Sequence, residues 1–399
     1  MYDAIVVGAR CAGAVTAMLL ARKGYRVLLT DKADFPSDMP MSTHLVWQAG
    51  AERLQRWGLL DSIQNTNCPA LTGVSMNLGG FSLSGRPTAA GEVGIAIAPR
   101  RIVLDKLLVD AAVTAGAELH EDFSVTGLLR EGERVIGVQG VSSGKENLTA
   151  QARLVVGADG SNSRVAREVG AVEYNQAPQV QGTYFSYFSG VDLDSIEFVP
   201  RPGRMVYAWR TNDDRTLVGI SWVSSDLCEV RQDVERCFYS ELERLAPDLY
   251  GRVREGNRDA PLTGGAAPGF FRKPAGNGWA LVGDAGITMD PITAAGISNA
   301  FRDAEFLADA IDEGFSGRKA IDGALAQYAT KRDEAAMPIF GLTCQMASLA
   351  APPAEMMAVF EALRHNQADT DRYFGVFAQT VPVGEFFDPA NLQRIVANA

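Results

Sequence analysis

The sequence has few of the residues that build disulfide frameworks or metal centres. It contains five cysteines and three histidines among 399 residues. The cysteines, at positions 11, 68, 228, 237 and 344, are odd in number, scattered, and without the spacing of metal ligands. Such usage is typical of a reduced protein in the cytoplasm, which is the location we expect. No metal site is predicted.

The sequence also lacks a strongly basic region and a long apolar run. Its formal net charge is −11, and no block of lysine and arginine interrupts this acidic character. Nucleic acids and anionic membranes are therefore not expected as partners. The most apolar early segment, residues 4–21, contains Arg10 and several small residues, so a buried strand and helix explain it better than a membrane span. Because the first residues also lack the basic stretch of a signal peptide, we expect no stable membrane insertion.

What the chain does have is the composition of a globular enzyme. Hydrophobic residues make up 47% and charged residues 21% of the sequence, which is ordinary for such proteins. A chain of 399 residues exceeds the size of one ordinary hydrophobic core. We therefore expect two domains or one large composite structure.

A β-α-β unit opens the chain. Residues 2–7 form a β-branched, apolar run that is typical of a buried parallel strand, and residues 14–23 are rich in alanine and leucine, as in a helix. Gly24 follows as a stop signal for the helix. Residues 25–30 then predict a second strand, which ends at Asp31.

The turn between this strand and helix reads GARCAG, residues 8–13, the dinucleotide-binding pattern G-x-G-x-x-G with Arg10 in place of the middle glycine. Gly8 permits the tight turn, Gly13 permits close packing of helix on strand, and the helix N-terminus offers N–H groups to a pyrophosphate. Asp31 can accept hydrogen bonds from ribose hydroxyls. Arg10 hinders one close backbone approach, but its guanidinium can donate to a phosphate. The alternative is a structural βαβ turn without a ligand.

Later segments indicate an antiparallel region and a helical end. Residues 179–188, 205–211 and 216–223 are strand-like and rich in aromatic side chains, and the glycine-rich residues 73–98 have a similar character. Further predicted elements are helices over 102–115 and 226–245, strands over 123–128, 134–141, 153–157 and 278–282, a loop over 268–277, a helix from Gly296, and a mostly helical segment over 319–399.

These patterns predict an α/β protein. A βαβ dinucleotide-binding domain is interleaved with an antiparallel-sheet substrate domain and is followed by C-terminal helices. The predicted boundaries are 1–72, 99–172 and 273–335 for the discontinuous dinucleotide-binding domain, 73–98 and 173–272 for the substrate domain, and 336–399 for the C-terminal helical region.

Three separated motifs occur in one order: GARCAG at 8–13, ADGSNSRVAR at 158–167, and GDAGITMDPITAAGISNAFRDAE at 283–305. Together they resemble the motifs of flavoprotein monooxygenases of the aromatic-hydroxylase type, and of the wider group that contains geranylgeranyl reductases and flavin-dependent halogenases. The resemblance covers about residues 1–335, and three ordered motifs are far more specific than any one of them. It implies that the dinucleotide-binding domain binds FAD.

The resemblance also implies roles for particular residues. Arg101 matches an arginine that reaches FAD, and Asp284 resembles the acid that binds the ribityl chain. Asp159 and Gly160 resemble a motif that supports the pyrophosphate and nicotinamide cofactor binding; a strand-ending Asx turn is the alternative there. Gly296 would direct helix N–H groups at the pyrimidine edge of the flavin, unless the segment is an ordinary strand-loop-helix. The expected cofactor-binding residues are Gly8, Ala9, Arg10, Ala12, Gly13, Asp31, Lys32, Arg101, Val125, Asp159, Gly160, Asp284, Pro291, Gly296 and Ile297.

The implied function is that of an FAD- and NAD(P)H-dependent monooxygenase. It would hydroxylate an aromatic or electron-rich small molecule with O2, through a flavin hydroperoxide. No second βαβ dinucleotide motif is present, so NAD(P)H is expected as a transient reductant unless a separate flavin reductase supplies the electrons. The halogenase pattern W-x-W-x-I-P is absent, which argues against halogenation. An FAD-dependent reductase of an isoprenoid or other alkene and a non-catalytic flavin-binding sensor remain open as alternatives.

His44 is the one candidate catalytic residue, because it follows the second strand where members of the resembled group approach the flavin. A helix-capping or packing histidine is the alternative. The substrate is expected between the flavin and the antiparallel sheet, in a mostly apolar pocket. Because successive strand residues point to opposite faces, about half of the candidate wall residues are expected to point elsewhere. The candidate substrate residues are Tyr184, Tyr187, Tyr207, Trp209 and Trp222.

Overall fold

A computed structural model describes residues 1–142 and 147–398. The described chain forms two large sheets and one three-stranded sheet. The strands are β1 (Tyr2–Val7), β2 (Val27–Thr30), β3 (Val74–Asn77), β4 (Ser82–Gly85), β5 (Glu118–His120), β6 (Phe123–Glu131), β7 (Arg134–Ser142), β8 (Asn147–Gly157), β9 (Glu173–Ala177), β10 (Gln181–Ser189), β11 (Ile196–Arg201), β12 (Arg204–Arg210), β13 (Arg215–Val223), β14 (Asn257–Arg258), β15 (Thr263–Gly265), β16 (Gly269–Arg272), β17 (Ala275–Gly276), β18 (Trp279–Leu281) and β19 (Ile287–Thr288).

Helices surround the sheets and make up most of the C-terminal part. They are α1 (Cys11–Arg22), α2 (Gln48–Arg56), α3 (Leu60–Gln64), α4 (Arg101–Thr114), α5 (Arg164–Glu168), α6 (Leu227–Val230), α7 (Val234–Leu245), α8 (Pro247–Glu255), α9 (Gly296–Phe315), α10 (Ile321–Ala347), α11 (Ala354–Leu363), α12 (Gln367–Phe377), α13 (Val383–Phe386) and α14 (Pro389–Ala397). Across the described residues, none of these helices combines the length and apolarity that a membrane crossing requires.

The first sheet has the strand order β17-β18-β8-β1-β2-β5, and its strands from β18 to β5 run parallel. Helices α1, α4 and α9 cover one face through a core that includes Val6 and Leu29. The hairpin β6–β7 and α5 cover the other face, where Ile5 and Leu28 are buried. Both faces of the sheet are therefore buried, which explains why β1 and β2 are continuous apolar runs in the sequence. The predicted βαβ unit is confirmed.

The glycine-rich turn allows α1 to approach the sheet closely. Gly8 has a φ of +102°, and a Cβ there would lie 2.4 Å from the carbonyl oxygen of Ala158. A Cβ on Gly13 would lie 1.8 Å from the carbonyl oxygen of Gly8. Both positions thus require glycine for backbone reasons, as the motif indicates.

The second sheet has the order β14-β10-β13-β12-β11-β3-β4, with β15 also paired to β10. Its pairs are antiparallel except for β11 beside β3. Strands β3 and β4 come from residues 74–85 and join this sheet at one end, as their glycine-rich sequence predicts. The fold class expected from the sequence, a mixed α/β structure with C-terminal helices, is confirmed.

Strand alternation divides the second sheet into two faces with different neighbours. On the outer face, Phe188 and Trp222 pack under α7 and α8. On the inner face, Phe185, Tyr207 and Trp209 share a core with α11 and α12 from the C-terminal part of the chain. The inner face therefore points toward the rest of the molecule, and the outer face has its own covering layer.

Three local predictions differ from the structure. The helix expected over 226–245 is divided into α6 and α7, because the Asp233 side chain accepts from the backbone N–H of Arg236 and starts a new helix. The loop expected over 268–277 contains β16 and β17; pairing of β16 with β9 and β19 overrides the local turn signals. The expected boundary at 335/336 falls inside α10, which is continuous there.

Replacing Gly13 by alanine tests the close approach of α1. The added Cβ would meet the Gly8 carbonyl, which is backbone and cannot move without displacing β1. Overpacking typically lowers the unfolding free energy by about 1–3 kcal/mol. We expect the variant to lose at least this much, as measured by urea denaturation. The matched control is Gly251→Ala in α8, where a Cβ meets nothing within 4 Å and alanine is the better helix former. Equal stability of the two variants would contradict the contact.

Candidate functional site: a groove at the carboxyl ends of the first sheet

The three sequence motifs meet at one edge of the first sheet. Strands β1, β8 and β18 are parallel neighbours, so their carboxyl ends lie side by side. Gly8 follows β1, Asp159 follows β8, and Asp284 follows β18. In open α/β sheets this edge is the place where ligands bind, which makes the groove above it the candidate cofactor site.

The start of α1 presents backbone donors to this groove. Its N-cap residue, Arg10, makes no side-chain cap, and the first helical turn contains no acidic residue. Asp31 accepts from the backbone N–H of Ala9 at 2.7 Å and of Ala33 at 2.9 Å, and so holds the turn against the end of β2. The first-turn N–H groups and the positive end of the helix dipole fit a pyrophosphate.

Arg10 has partners that the motif alone does not reveal. Its guanidinium donates to Asp105 at 2.6 Å and to the Ser37 hydroxyl at 2.9 Å. It thereby connects the glycine-rich turn to α4 and to the segment after β2. The phosphate contact expected for Arg10 remains a prediction, since the guanidinium is already engaged with a buried carboxylate.

Asp105 collects four donors from two helices. Its side chain has no exposed area and accepts from Arg10, from the Cys11 thiol at 3.4 Å, and twice from the Arg101 guanidinium at 3.0 Å. Burial raises the pKa of the Cys11 thiol, with Asp105 adding to the effect against the opposing charge of Arg101, so the thiol stays protonated. The cluster fixes Arg101 at the start of α4, with its charge close enough to act on Asp284.

Asp284 lies in the short 3₁₀ turn Gly283–Ala285 after β18. Its side chain is exposed to the groove yet lies deep in the fold, and this desolvation raises the pKa of the carboxyl while the Arg101 charge lowers it. A Cβ on Gly283 would lie 2.6 Å from the Cβ of Ala12, so the turn packs directly on α1. The carboxylate can therefore accept hydrogen bonds from hydroxyl groups of a ligand in the groove.

The N-terminus of α9 opens toward the same groove. Gly296 is exposed, and a Cβ there would meet nothing within 4 Å. The N-cap residue, Ala295, provides no side-chain cap, and the first turn contains no acidic residue. Free N–H groups and a positive dipole suit a flavin carbonyl oxygen. Two uncapped helix starts, a glycine cradle and two well-placed carboxylates are a donor and acceptor set that fits FAD.

The other predicted cofactor residues differ in their hydrogen-bond partners and in their burial. The carboxylate of Asp159 accepts from the Ser163 hydroxyl at 2.5 Å and from the backbone N–H of Arg164 at 2.7 Å, and so organises the start of α5. This agrees with the Asx-turn alternative, and its cofactor role remains a prediction. The remaining members are Ala12, which is buried, Gly160, Val125 and Ile297, which are half-buried, and Lys32 and Pro291, which are exposed.

The segment that carries His44 is anchored by two tryptophans. The Trp47 indole N–H donates to the carbonyl of Thr293, in the turn before α9, at 3.0 Å. The Trp209 indole N–H donates from the inner face of the second sheet to the carbonyl of Thr43, also at 3.0 Å. His44 is thus held between the second sheet and the turn before α9, here called the flavin-side turn. Its side chain is 2% exposed, and its backbone φ is 67°.

His44 contacts one of the predicted substrate residues. Its Nε2 is within hydrogen-bond distance of the Tyr187 hydroxyl, while its Nδ1 is buried and has no hydrogen-bond partner among the described residues. Burial lowers the pKa of His44 well below its usual value, and the charges of Arg101 and Arg100 lower it further, so the imidazole is neutral. A neutral histidine beside a tyrosine hydroxyl can hold or pass a proton.

The five predicted substrate residues are divided between the two faces of the second sheet. Tyr187, Tyr207 and Trp209 lie on the inner face, and the Tyr207 and Trp209 rings stack with centroids 5.1 Å apart. Tyr184 and Trp222 belong to the outer-face core under α7. Only the inner-face residues are on the side of the groove, and their substrate role remains a prediction.

Sequence reasoning missed Gln181 and Asp290, which form a buried pair beside the flavin-side turn. The Gln181 side-chain amide donates to Asp290 at 2.5 Å, and the same Asp290 oxygen accepts from the backbone N–H of Ile292 at 3.0 Å. Burial raises the pKa of Asp290 to about 6, against the lowering effect of these bonds. The sequence contains a pattern that could have identified Asp290, because an acidic residue directly before a proline is typical of an N-cap.

Comparisons with known proteins identify the family of the chain. The model of the family described as FAD binding domain matches residues 1–245. Digeranylgeranylglycerophospholipid reductase 1 of Methanococcoides burtonii is 30% identical over 308 residues, which are 75% of this chain and 71% of the relative.

Two solved structures show the same fold at lower identity. PqsL of Pseudomonas aeruginosa, described as a probable FAD-dependent monooxygenase, has a TM-score of 0.72 and 21% identity, over 94% of this chain and 99% of that one. The myxobacterial chondrochloren halogenase CndH, an FAD-dependent halogenase, has a TM-score of 0.77 and 19% identity, over 100% of this chain and 97% of that one.

Asp284→Ala is expected to weaken cofactor binding more than folding. Losing a hydrogen bond to a charged group should lower flavin affinity by about 1.5–3 kcal/mol, or about 10- to 150-fold in Kd. Titration of the apoprotein with FAD measures the affinity, and urea denaturation of the apoprotein measures stability. The control is Asp309→Ala, on the surface of α9, where only a pairing with Lys23 is lost. An Asp284 variant with the affinity of the control would exclude this carboxylate from the site.

Asp290→Asn is expected to change the pH dependence of stability. The native pKa of about 6 lies above the unfolded value near 3.8, so the native state binds this proton more tightly. The corresponding stability is present below about pH 4 and is lost as the pH rises through about 6. Between pH 4 and pH 7.5 the wild type should lose up to about 3 kcal/mol of unfolding free energy relative to the variant. A difference between the two proteins that is independent of pH would contradict the shift.

Proposed function

The chain belongs to the FAD binding domain family of flavin-dependent oxidoreductases, and from this premise we propose that it reduces a carbon–carbon double bond of an apolar, isoprenoid-type substrate. The family and its cofactor, FAD, were predicted from the three ordered motifs, and both predictions are confirmed. When bound, FAD supplies a hydride that it has received from a reductant such as NAD(P)H. The residues of the chain hold the cofactor, position the substrate and exclude water.

The observation that carries the proposal is the apolar character of the inner face of the second sheet, the proposed substrate wall. The inner face of the second sheet presents the rings of Phe185, Tyr207 and Trp209. Its polar groups include neutral hydroxyls, such as that of Thr183, which lies 2.6 Å from the Tyr207 hydroxyl. An apolar wall with neutral O–H groups suits an uncharged hydrocarbon that must accept a hydride and a proton.

The C-terminal helices complete this enclosure. Phe360 on α11, and Tyr373 and Phe374 on α12, belong to the same buried cluster as the inner-face rings. They cover the inner-face rings and keep water away from them. A dry site strengthens electrostatic interactions at the reacting atoms and prevents side reactions of the reduced cofactor.

Sequence similarity supports the same assignment. The relative named as a digeranylgeranylglycerophospholipid reductase aligns with three quarters of the chain. Its name specifies a polyprenyl lipid. For the present chain we propose the coarser class, an isoprenoid-type alkene, because the inner-face wall accounts for apolar character but not for a particular head group.

The second candidate is monooxygenation of an aromatic or electron-rich small molecule with NAD(P)H and O2. The stacked rings of Tyr207 and Trp209, at an interplanar angle of 22°, favour it, because they offer ring faces to an aromatic substrate. The fold is compatible with this chemistry, as the similarity to PqsL indicates. The two candidates share FAD and differ in whether oxygen enters the product.

Anaerobic turnover separates the candidates. The purified holoenzyme, reduced with NADPH or NADH under argon, is mixed with geraniol, farnesol or geranylgeraniol, and with a parallel panel of phenols and indoles. The proposal expects an isoprenoid to reoxidise the flavin without oxygen and to gain two hydrogens, as measured by mass spectrometry. A product that forms only in air and carries one atom of labelled oxygen gas would replace the proposal by the monooxygenase. The Asp284→Ala variant, with its weakened flavin site, serves as the negative control.

A further inference from the structure

Tyr187 and His44 form a contact pair at the boundary between the second sheet and the cofactor groove. Their rings are nearly parallel, with centroids 5.7 Å apart and an interplanar angle of 13°. Tyr187 lies on the inner face of β10 and is half-buried, so its edge reaches the space in front of the sheet. His44 behind it is almost fully buried. The pair therefore joins a protected imidazole to an accessible phenol.

The unpartnered nitrogen of His44 determines the direction of the hydrogen bond. A buried N–H without an acceptor is rarer in proteins than a buried acceptor without a donor, and it costs about 1–3 kcal/mol. Because Nδ1 is buried without a partner, the favoured neutral tautomer has its proton on Nε2. Nε2–H then donates to the Tyr187 oxygen. The hydroxyl hydrogen of Tyr187 is left free to point away from His44, toward the substrate space.

Burial and the nearby charges act on the Tyr187 proton in opposite directions. Burial raises the pKa of Tyr187, so the phenol is protonated before turnover, while the Arg100 charge lowers it and the Asp38 charge raises it. The guanidinium carbon of Arg100 lies 5.3 Å from the Tyr187 ring centroid, and the Arg100 Nη2 atom lies 3.5 Å from Oδ2 of Asp38. Arg101 adds a second positive charge near His44. A tyrosinate formed here would be held by the Nε2–H donor and by a cation.

We propose that Tyr187 is the acid that protonates the double bond during its reduction, and that His44 is the positioning residue that holds the Tyr187 oxygen. The inference rests on the proposed reductase function. Bound, reduced FAD would supply a hydride, with both electrons, to one alkene carbon. The Tyr187 O–H bond breaks and its proton bonds to the other carbon, so the π bond is consumed and tyrosinate remains. Solvent returns the proton after product release, and NAD(P)H would supply the two electrons for the next turnover.

The test compares two half-reactions in Tyr187→Phe, which keeps the ring and loses the hydroxyl. Reduction of bound FAD by NAD(P)H should remain within threefold of wild type. Reoxidation of the reduced enzyme by the isoprenoid alcohol that the wild type accepts, followed anaerobically by stopped flow, should slow at least 100-fold, because a positioned acid contributes 10²- to 10⁴-fold. The matched control is Tyr250→Phe on α8, in the layer that covers the outer face of the second sheet, with both rates unchanged.

A second variant separates positioning from packing. His44→Asn keeps a residue type that tolerates the positive φ at this position and removes the Nε2–H donor. Its reoxidation rate should fall less than that of Tyr187→Phe, and the alkaline limb of its pH profile should move, because the tyrosinate loses a donor. In D2O the wild type should place one solvent deuterium on a single face of the product.

The outcomes distinguish the inference from the function on which it rests. If the wild-type flavin is reoxidised by an isoprenoid but Tyr187→Phe is within threefold of it, the inference is overturned and the reductase function stands. If none of the three alcohols reoxidises the wild-type flavin without oxygen, the proposed function fails and the inference fails with it. An unchanged pH profile in His44→Asn would remove His44 from the mechanism.

Discussion

The carboxylate of Asp105, buried between two arginines, is the interaction on which the cofactor groove depends. A charge without exposed area is tolerated only when it is paired and hydrogen-bonded, and Asp105 meets both conditions through Arg10, Arg101 and Cys11. Because these partners come from the glycine-rich turn, from α1 and from α4, the carboxylate fixes the relative positions of these elements. Removing one partner of a buried ion pair typically destabilises a protein by about 3–5 kcal/mol. Loss of either arginine is therefore expected to destabilise this cluster.

Arg101 connects the Asp105 cluster to the groove. Its guanidinium is held by Asp105 on one side, and its charge acts on Asp284 and on His44. The same cation thus favours the charged form of the carboxylate in the cofactor site and the neutral form of the imidazole behind the substrate wall. The chain has a net charge of −11, but the Arg101 charge and the N-terminus of α9 are locally positive and would favour an electron-rich cofactor in the candidate groove.

The substrate side is built on indole hydrogen bonds across the boundary between the two large sheets. Trp47 connects the His44 segment to the turn before α9, and Trp209 connects it to the inner face of the second sheet. Proteins with this fold are described as reductases, halogenases and monooxygenases, so the fold alone does not select a reaction. Such proteins can differ in the residues on the inner face of the second sheet, including the proposed proton donor. The geometry around Tyr187 favours proton delivery.

The sequence by itself determined the βαβ unit within the first sheet, the glycine-rich turn and the family, because these depend on short-range patterns. Residues 2–31 contain a complete βαβ unit, and the three motifs occur in a fixed order at the ends of strands. Alternation along β10 and β12 also showed that the aromatic residues must divide between two faces. It could not show which face lies toward the groove, because that depends on where α7, α11 and α12 pack.

Only the tertiary structure decided the partners of the charged and polar side chains. Arg10 pairs with Asp105, 95 positions along the chain, and Gln181 pairs with Asp290, 109 positions along the chain. No local periodicity encodes such contacts, since buried charges and amides select whichever partner the packed core brings within hydrogen-bond distance. The same reason explains why His44 was recognisable as a candidate, while its contact with Tyr187 and its neutral state depended on burial by elements far away in the sequence.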